Sequence, residues 1–438
     1  MAGRSTPLRF VHTADLHLDS PLKSLASRDA ALAEAVRTAS RTALARTVEL
    51  CIDEAVDALL VAGDLYDGEQ RSMHTAAALT REMRRLHEAD IPVFLIQGNH
   101  DARSRITREL SLPPNVHTFT GRGGTHQLAD GRAAFHGVSF SRPQAKESLL
   151  PKFPKPREGL WNVGLLHTSL AGAEGHDAYA PCALEELINF GYDYWALGHV
   201  HKRAVHRADD PAVVMPGNPQ GRDMGENGAR SVTVATLREG APARLEERVV
   251  GPARFERLTL SLDGVEDWRE LLERLEGHLH ERRAALDVEH LICRVELDGR
   301  SPLAWRVARD VDLLLALLRE SAEALPGTWV EKISSEVRPP AAADGGARSE
   351  DTAAGGTLHR LEALIDEELF ASAELGRQVD LEVGDLLKKL PRELRHLLGD
   401  DERASAARVD ALLREGSAEL LMRVGAASER VEPASADD

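Results

Sequence analysis

Five short polar motifs, each standing where an apolar run stops, constrain this chain more than any other feature. Leu8 to His12 leads into Asp15-Leu16-His17, and ALLVA at 58–62 leads into Gly63-Asp64. IPVFLIQ at 91–97 leads into Gly98-Asn99-His100-Asp101. The run through Leu165 ends on His167, and YWAL from Tyr194 leads into Gly198-His199-Val200-His201. Helical spacing fills the gaps: Leu32, Val36, Ala39, Ala43, Val48, Cys51, Ile52 and Val56 predict a helix over 29–56, and a second is predicted over 71–89. Strands alternating with helices predict an α/β sheet. Ligands of such sheets bind beyond the carboxyl ends of the strands, and the five motifs fall there.

The residue types are those of a divalent-metal site. Hard cations take oxygen donors, and imidazole suits Mn, Fe and Zn. Asp15 and His17 are two apart, as are His199 and His201. One site is expected to take Asp15, His17, Asp64 and His201, the other Asp64, Asn99, His167 and His199, with Asp64 bridging. Two metals about 3.5–4 Å apart can clamp a phosphate and activate a water. His100 is the candidate general acid, and Asp101 the candidate carboxylate for holding its ring.

Composition sets the surroundings. The net charge of −17 argues against a nucleic-acid partner until it is divided along the chain. Residues 1–235 hold 26 Lys and Arg against 28 Asp and Glu, whereas the other 203 hold 28 against 43. The acidity therefore sits in the C-terminal half. Asp15, Asp19, Asp64 and Asp67 lie in or beside the metal motifs, where bound cations would offset them. Three scattered cysteines give no disulfide framework or zinc knuckle, which fits a reducing compartment. Neither a signal peptide nor an apolar run of about 18 residues is found, so a cytoplasmic protein with no membrane span is expected.

Taken in this order, D-x-H, G-D, G-N-H-D, H and G-H-x-H resemble the calcineurin-like metallophosphoesterase superfamily over residues 8 to about 235. The resemblance implies a four-layer α/β/β/α sandwich, metal ligation by Asp15, His17, Asp64, Asn99, His167, His199 and His201, and catalysis by His100. TADLHLDSPL, VAGDLYD, IQGNHD and YWALGHVH look like its DNA-repair exonuclease branch, the SbcD-like nucleases. LLHTSLAGAEGHDAYAP and MPGNPQGRDMGE look like the YhaO-type bacterial group. Where archaeal and eukaryotic repair nucleases often carry a histidine three residues after the bridging aspartate, this chain has Asp67. The resemblance further implies two divalent ions, most simply Mn²⁺ with Fe²⁺ or Zn²⁺ as alternatives, DNA as substrate, an SMC-like coiled-coil ATPase partner, and a homodimer through helices near 71–110.

Domain boundaries follow from the pattern, whereas the phosphoesterase, capping and partner-docking roles are what the resemblance implies. Residues 1–250 are assigned to the phosphoesterase domain and 251–338 to an α+β capping domain, with helices over 266–285 and 304–323. Residues 339–357 have linker composition, 358–425 form a helical partner-docking segment, and 426–438 an unstructured tail. No phosphate-loop motif occurs, so any ATP gating would come from a partner.

Lesser candidates complete the reading. Arg222 and Asn218, in PGNPQGR, are possible substrate contacts, as are His176 and Tyr179 in GHDAYAP. Arg81, Arg84, Arg85, Arg103, Arg105 and Arg108 fit a DNA path or a solvated surface equally well. Cys182 reads as a small core residue. The leading expectation is a metal-dependent DNA exonuclease or endonuclease. A phosphatase or small-substrate phosphodiesterase of the same superfamily is the alternative. A non-catalytic scaffold is disfavoured because no ligand is missing.

Overall fold

The computed structural model describes residues 4–20, 22, 30–67, 73–103, 112–142, 145, 147–170, 179–340, 360–361, 363–389 and 402–429. Of the expectations above, His176, Arg105, Arg108, most of the linker and residues 430–438 lie outside the described residues. The chain divides into two compact units. The first takes residues 1–258, 279–294 and 321–331; the second takes 259–278, 295–320 and 332–438.

The first unit begins with β1 (Leu8–Thr13), α1 (Ala30–Asp53), β2 (Ala58–Ala62), α2 (Met73–Glu88), β3 (Val93–Ile96) and β4 (Val116–Thr118). It continues through β5 (Gly124–Gln127), β6 (Ala133–Gly137), β7 (Trp161–His167), α3 (Leu184–Ile188), β8 (Tyr194–Gly198), β9 (Ala204–Arg207), β10 (Ala212–Met215), β11 (Ser231–Arg238) and β12 (Ala241–Val249). Two six-stranded sheets result, in orders β12-β11-β1-β2-β3-β4 and β5-β6-β7-β8-β10-β9. β1 to β4 run parallel, as do β6, β7, β8 and β10. Parallel strands point their carboxyl ends the same way, which is why motifs far apart in sequence can share one rim.

Apolar alternation explains the layers. Phe10, Leu60 and Phe94 of the first sheet pack against Phe135, Val163, Leu165 and Tyr194 of the second, forming the dry interior of a sandwich. The other face of the first sheet, with Val11, Leu59 and Val61, is covered by Ala43, Leu44 and Val48 of α1 and Leu79 and Met83 of α2. The other face of the second carries Trp195 and Leu197 packed with Leu187 of α3. This is the mixed α/β sandwich with parallel sheets. Each strand of the core is buried on both faces, so it reads as a continuous apolar run.

Two buried histidines stitch the interior. His12 lies 3.0 Å from the Tyr194 hydroxyl and 3.0 Å from the Leu197 carbonyl. His136 lies 2.9 Å from Thr125 Oγ1 and 3.1 Å from Asn162 Oδ1. Burial pushes His12 down to about 3 and His136 down to about 4. The unfolded chain therefore binds protons below pH 6.5 that the folded one refuses, so their contribution is present above pH 6.5 and is lost on acidification. Each removes about 1.4 kcal/mol per pH unit while the folded ring stays neutral. Urea unfolding of His136→Gln between pH 6.5 and pH 4.5 should show a slope shallower by one proton; an unchanged slope would remove His136 from this account.

Beyond these sheets, β13 (Ala253–Ser261), β14 (His290–Asp298) and β15 (Thr328–Ser335) form a three-stranded sheet. The sequence-predicted 266–285 helix is α4 (Trp268–Ala284). The single helix expected over 304–323 is two, α5 (Ala304–Arg309) and α6 (Val311–Glu323), broken at Asp310. Then come α7 (Ala373–Lys389) and α8 (Glu402–Glu429). Residues 426–429, expected in the tail, belong to α8, whose Ala426 and Ala427 are strong helix formers. α8 packs on α5. No helix among the described residues is long and apolar enough to cross a membrane.

Candidate metal centre

Four of the seven candidate ligands sit where the backbone is left-handed. Asp15 has φ 52°, His17 φ 40°, Asp64 φ 54° and His199 φ 104°. Non-glycine residues there cost about 1–3 kcal/mol each and persist only where the surroundings dictate them. The surroundings here are specific. The N–H groups of Asp15 and His17 donate to the carbonyls of Gly63 and Asp64, both at 3.0 Å. The His199 N–H donates to the Asp15 carboxylate at 3.0–3.1 Å. Beyond its last strand residue, each strand thus coils against its neighbour, and residues two apart face one mouth.

Three donor groups result among the described residues, and one of them, His17 with Asp67 and His100, shares His17 with the first of the other two. Asp15, His17 and His201 bring one ligand atom each within 4.8 Å of one another, and so do Asp64, His167 and His199. Asn99 Oδ1 lies 3.0 Å from His167 Nε2. Asp64 Oδ2 is 3.3 Å from His167 Nε2 and 3.9 Å from His17 Nε2, between the two groups.

The hydrogen bonds test whether a cation fits. His17 Nδ1 faces Asp67 at 2.8 Å, His201 Nδ1 faces Glu226 at 2.6 Å and His167 Nδ1 faces the Ala62 carbonyl at 2.9 Å. Each partner only accepts, so each Nδ1 carries the proton and each Nε2 presents a lone pair. Those of His17 and His201 point at each other across 3.1 Å, and that of His167 points at two acceptor oxygens. Acceptors crowded on acceptors need a proton or a cation between them. Burial opposes charge on His167, yet Asp64 and Asp15 outweigh it and raise the ring to about 9. The set fits divalent ions by the same electrostatics, and supports two of them.

The model of the calcineurin-like phosphoesterases matches residues 8–203. This chain carries a calcineurin-like phosphoesterase domain. All seven candidate ligands and His100 lie inside the matched span. A second model, the middle domain of the YhaO metallophosphoesterase, matches residues 255–338. The chain is similar to an uncharacterised metallophosphoesterase of this type from Bacillus subtilis, 34% identical over 54% of this chain and 59% of that one. It is also similar to the DNA double-strand break repair protein Mre11 of Methanopyrus kandleri, 26% identical over 49% of each. Each match thus covers less than two thirds of the relative. A solved dimetal phosphatase from Danio rerio is 14% identical over 56% of this chain and 98% of that one, with a TM-score of 0.34.

Within the phosphoesterase site, one sequence expectation is corrected. The carboxylate at the His100 ring is Asp67, whose Oδ1 lies 3.2 Å from His100 Nδ1. Asp101 instead accepts the backbone N–H groups of Leu65, Tyr66 and Gly98 at 3.0–3.2 Å. It ties the Gly98 loop to the Asp64 loop, where burial and the neighbouring Asp64 push it up to about 7. The side chain next to His100 in sequence is taken up by backbone donors of its own loop and of the Asp64 loop, and the ring meets Asp67. Burial works against ionising Asp67, but bonds from His100 and His17 hold it well below the usual carboxylate range. Asp67→Asn should lower affinity at the His17 site and turnover about 10–100-fold each. Calorimetric titration with Mn²⁺ checks the first, and wild-type affinity would dismiss the link.

Glu226 is the other residue the sequence reading missed. Arg222 and Asn218, proposed as substrate contacts, both donate to it. Its only sequence signal is its place two residues before Gly228 in a turn-rich stretch, which says nothing of its partners. The Tyr179 ring lies 5.1 Å from that of His199, edge-on. Arg85 is engaged by Glu82 and Glu49, so the α2 arginines are not all available to a nucleic acid. Cys51, Cys182 and Cys293 are buried free thiols.

Proposed function

We propose that the chain is a metal-dependent nuclease that hydrolyses phosphodiester bonds in DNA. The observation that carries the reading is the pair of donor groups meeting at Asp64, with His100 beside them on the same rim. Asp15, His17 and His201 would hold one divalent ion and Asn99, His167 and His199 the other, with Asp64 between. When bound, the ions supply charge neutralisation on the phosphate and an activated water. Mn²⁺ is proposed; Fe²⁺ or Zn²⁺ suits the same donors.

The chain's own groups supply the rest. His100 is partly exposed, and its N–H donates to Asp64 at 3.0 Å. The Asp67 carboxylate raises its pKa, so the ring holds a proton to give to a departing sugar oxygen. Arg222, pinned through Nε and Nη2 by Glu226, would present Nη1 to a phosphate oxygen. Tyr179 would wall the His199 side. The half-buried and exposed leucines of α7, among them Leu381 at 73% and Leu386 at 47% exposure, support docking on an SMC-like coiled-coil ATPase. Pairing with a second copy through α2 belongs to the same proposal.

A specific observation keeps the second reading in view. Asp67 occupies the position where many repair nucleases have histidine, and it serves His17 and His100 at once. That arrangement suits a phosphatase or a small-substrate phosphodiesterase as well. End-labelled linear duplex DNA and a small aryl phosphodiester, each incubated with the full chain and Mn²⁺, separate the readings. Degraded DNA supports the nuclease. Cleavage of the small diester alone, even with a coiled-coil ATPase partner present, would overturn it in favour of the second reading.

A further inference from the structure

We propose that Glu226 is a positioning residue that aims the Nε2 lone pair of His201 at the metal site and anchors Arg222 beside it. This rests on the metal-centre reading above. Glu226 closes a short helical turn, Met224–Glu226, and its side chain is only 12% exposed. Five donors converge on its two oxygens, one of them Arg222 Nε at 3.3 Å from Oε1 and 3.4 Å from Oε2. Oε1 receives His201 Nδ1 at 2.6 Å and Arg222 Nη2 at 2.9 Å; Oε2 receives Asn218 Nδ2 and the Arg222 backbone N–H, both at 2.8 Å.

Arg230 clamps the same assembly from behind. It donates to the His201 carbonyl and Asn218 Oδ1 at 2.9 Å and to the Glu226 carbonyl at 3.0 Å. The turn and the His201 loop are therefore one rigid piece, although they lie in separate stretches of sequence. Arg222 Nη2 also lies 3.0 Å from His201 Nδ1, which raises the question of which partner sets the ring. A carboxylate oxygen 2.6 Å from a ring nitrogen requires a proton between them. Glu226 already receives four other donors and is ionised, so the proton is the ring's. The ring then offers Nε2 as a lone pair, backed by a full negative charge that favours a cation in front of it. His167, backed by the neutral Ala62 carbonyl, lacks that charge. Glu226 should therefore affect one metal site and not the other.

Calorimetric titration of metal-free full-length chain with Mn²⁺, wild type beside Glu226→Gln, tests this. The expected result is a 10–100-fold weaker affinity at one site of two, with the other changed less than twofold. Identical isotherms, or equal weakening of both sites, would overturn the role while leaving the metal centre intact. Wild-type chain that takes up no Mn²⁺ would overturn both. Should Glu226→Gln fail to fold, wild-type protein alone decides: in histidine-¹⁵N-labelled metal-free chain, with the His201 signal assigned by its loss in His201→Gln, Nδ1 should carry the proton. A proton on Nε2 would hand the ring to Arg222 and sink the proposal.

Discussion

Replacing His100 by alanine is expected to cut hydrolysis of an alkyl phosphodiester such as DNA about 10²–10⁴-fold while both divalent ions stay bound. The two halves of that result have different causes. His100 is in neither of the three-residue groups that contain Asp15 or Asp64; it groups with His17 and Asp67, and meets the Asp67 carboxylate through Nδ1, the His17 ring edge-on and Asp64 through its backbone N–H. The backbone contact survives truncation, so Asp64 keeps its place and metal content should be unchanged. What is lost is a proton source for the leaving oxygen. A sugar alkoxide leaves poorly without a proton, whereas a nitrophenolate needs none. The variant should therefore lose far less activity on an aryl diester than on DNA. Equal losses on both substrates, with metal content measured alongside, would take the acid role away from His100.

Gly198→Ala is expected to damage fold and site together. A Cβ at Gly198 would overlap the Ala62 carbonyl oxygen and stand 3.0 Å from His167 Nδ1. Ala62 ends β2 of one sheet and Gly198 ends β8 of the other, so relief means prising the sheets apart at the rim. Overpacking of this kind costs about 1–3 kcal/mol, occasionally more. The oxygen pushed away is the one that fixes the tautomer of His167 at 2.9 Å, so the Asp64, His167 and His199 group should lose metal affinity as well. Gly376→Ala is the contrast: it lies in α7 with nothing within 4 Å of the added carbon, and should be neutral or stabilise by about 0.5–1 kcal/mol. Thermal melting of the metal-free proteins and Mn²⁺ titration check the pair. A Gly198→Ala protein with wild-type melting and full metal uptake would refute the close-packing argument.

The sandwich was legible because its strands are buried on both faces. ALLVA and VFLI have no polar residue to place on a solvent side, so they read as continuous runs, and each stops two or three residues before a candidate ligand. The break between α5 and α6 was not legible, since the apolar spacing runs on through Asp310 and only the backbone departs from it. The candidate ligand histidines stand out in the sequence by type and order. The carboxylates behind them do not, and Asp101 shows why. Adjacency in sequence suggested it for the His100 ring, but the turn spends its oxygens on the N–H groups of Leu65, Tyr66 and Gly98.

By itself, the sequence determined which residue types end the strands, and with them the α/β class and the chemistry of the rim. Burial and donor chemistry are properties of single residues and of short repeats, so they survive without coordinates. Tertiary structure alone decided how those residues divide into two groups, that Asp64 stands between them, that Asp67 serves two histidines, and that Arg222 and Asn218 meet on Glu226. A hydrogen bond is fixed by distances of a few tenths of an ångström, and in this site it joins residues as far apart as Asp15 and His199, 184 positions, a separation no local pattern encodes.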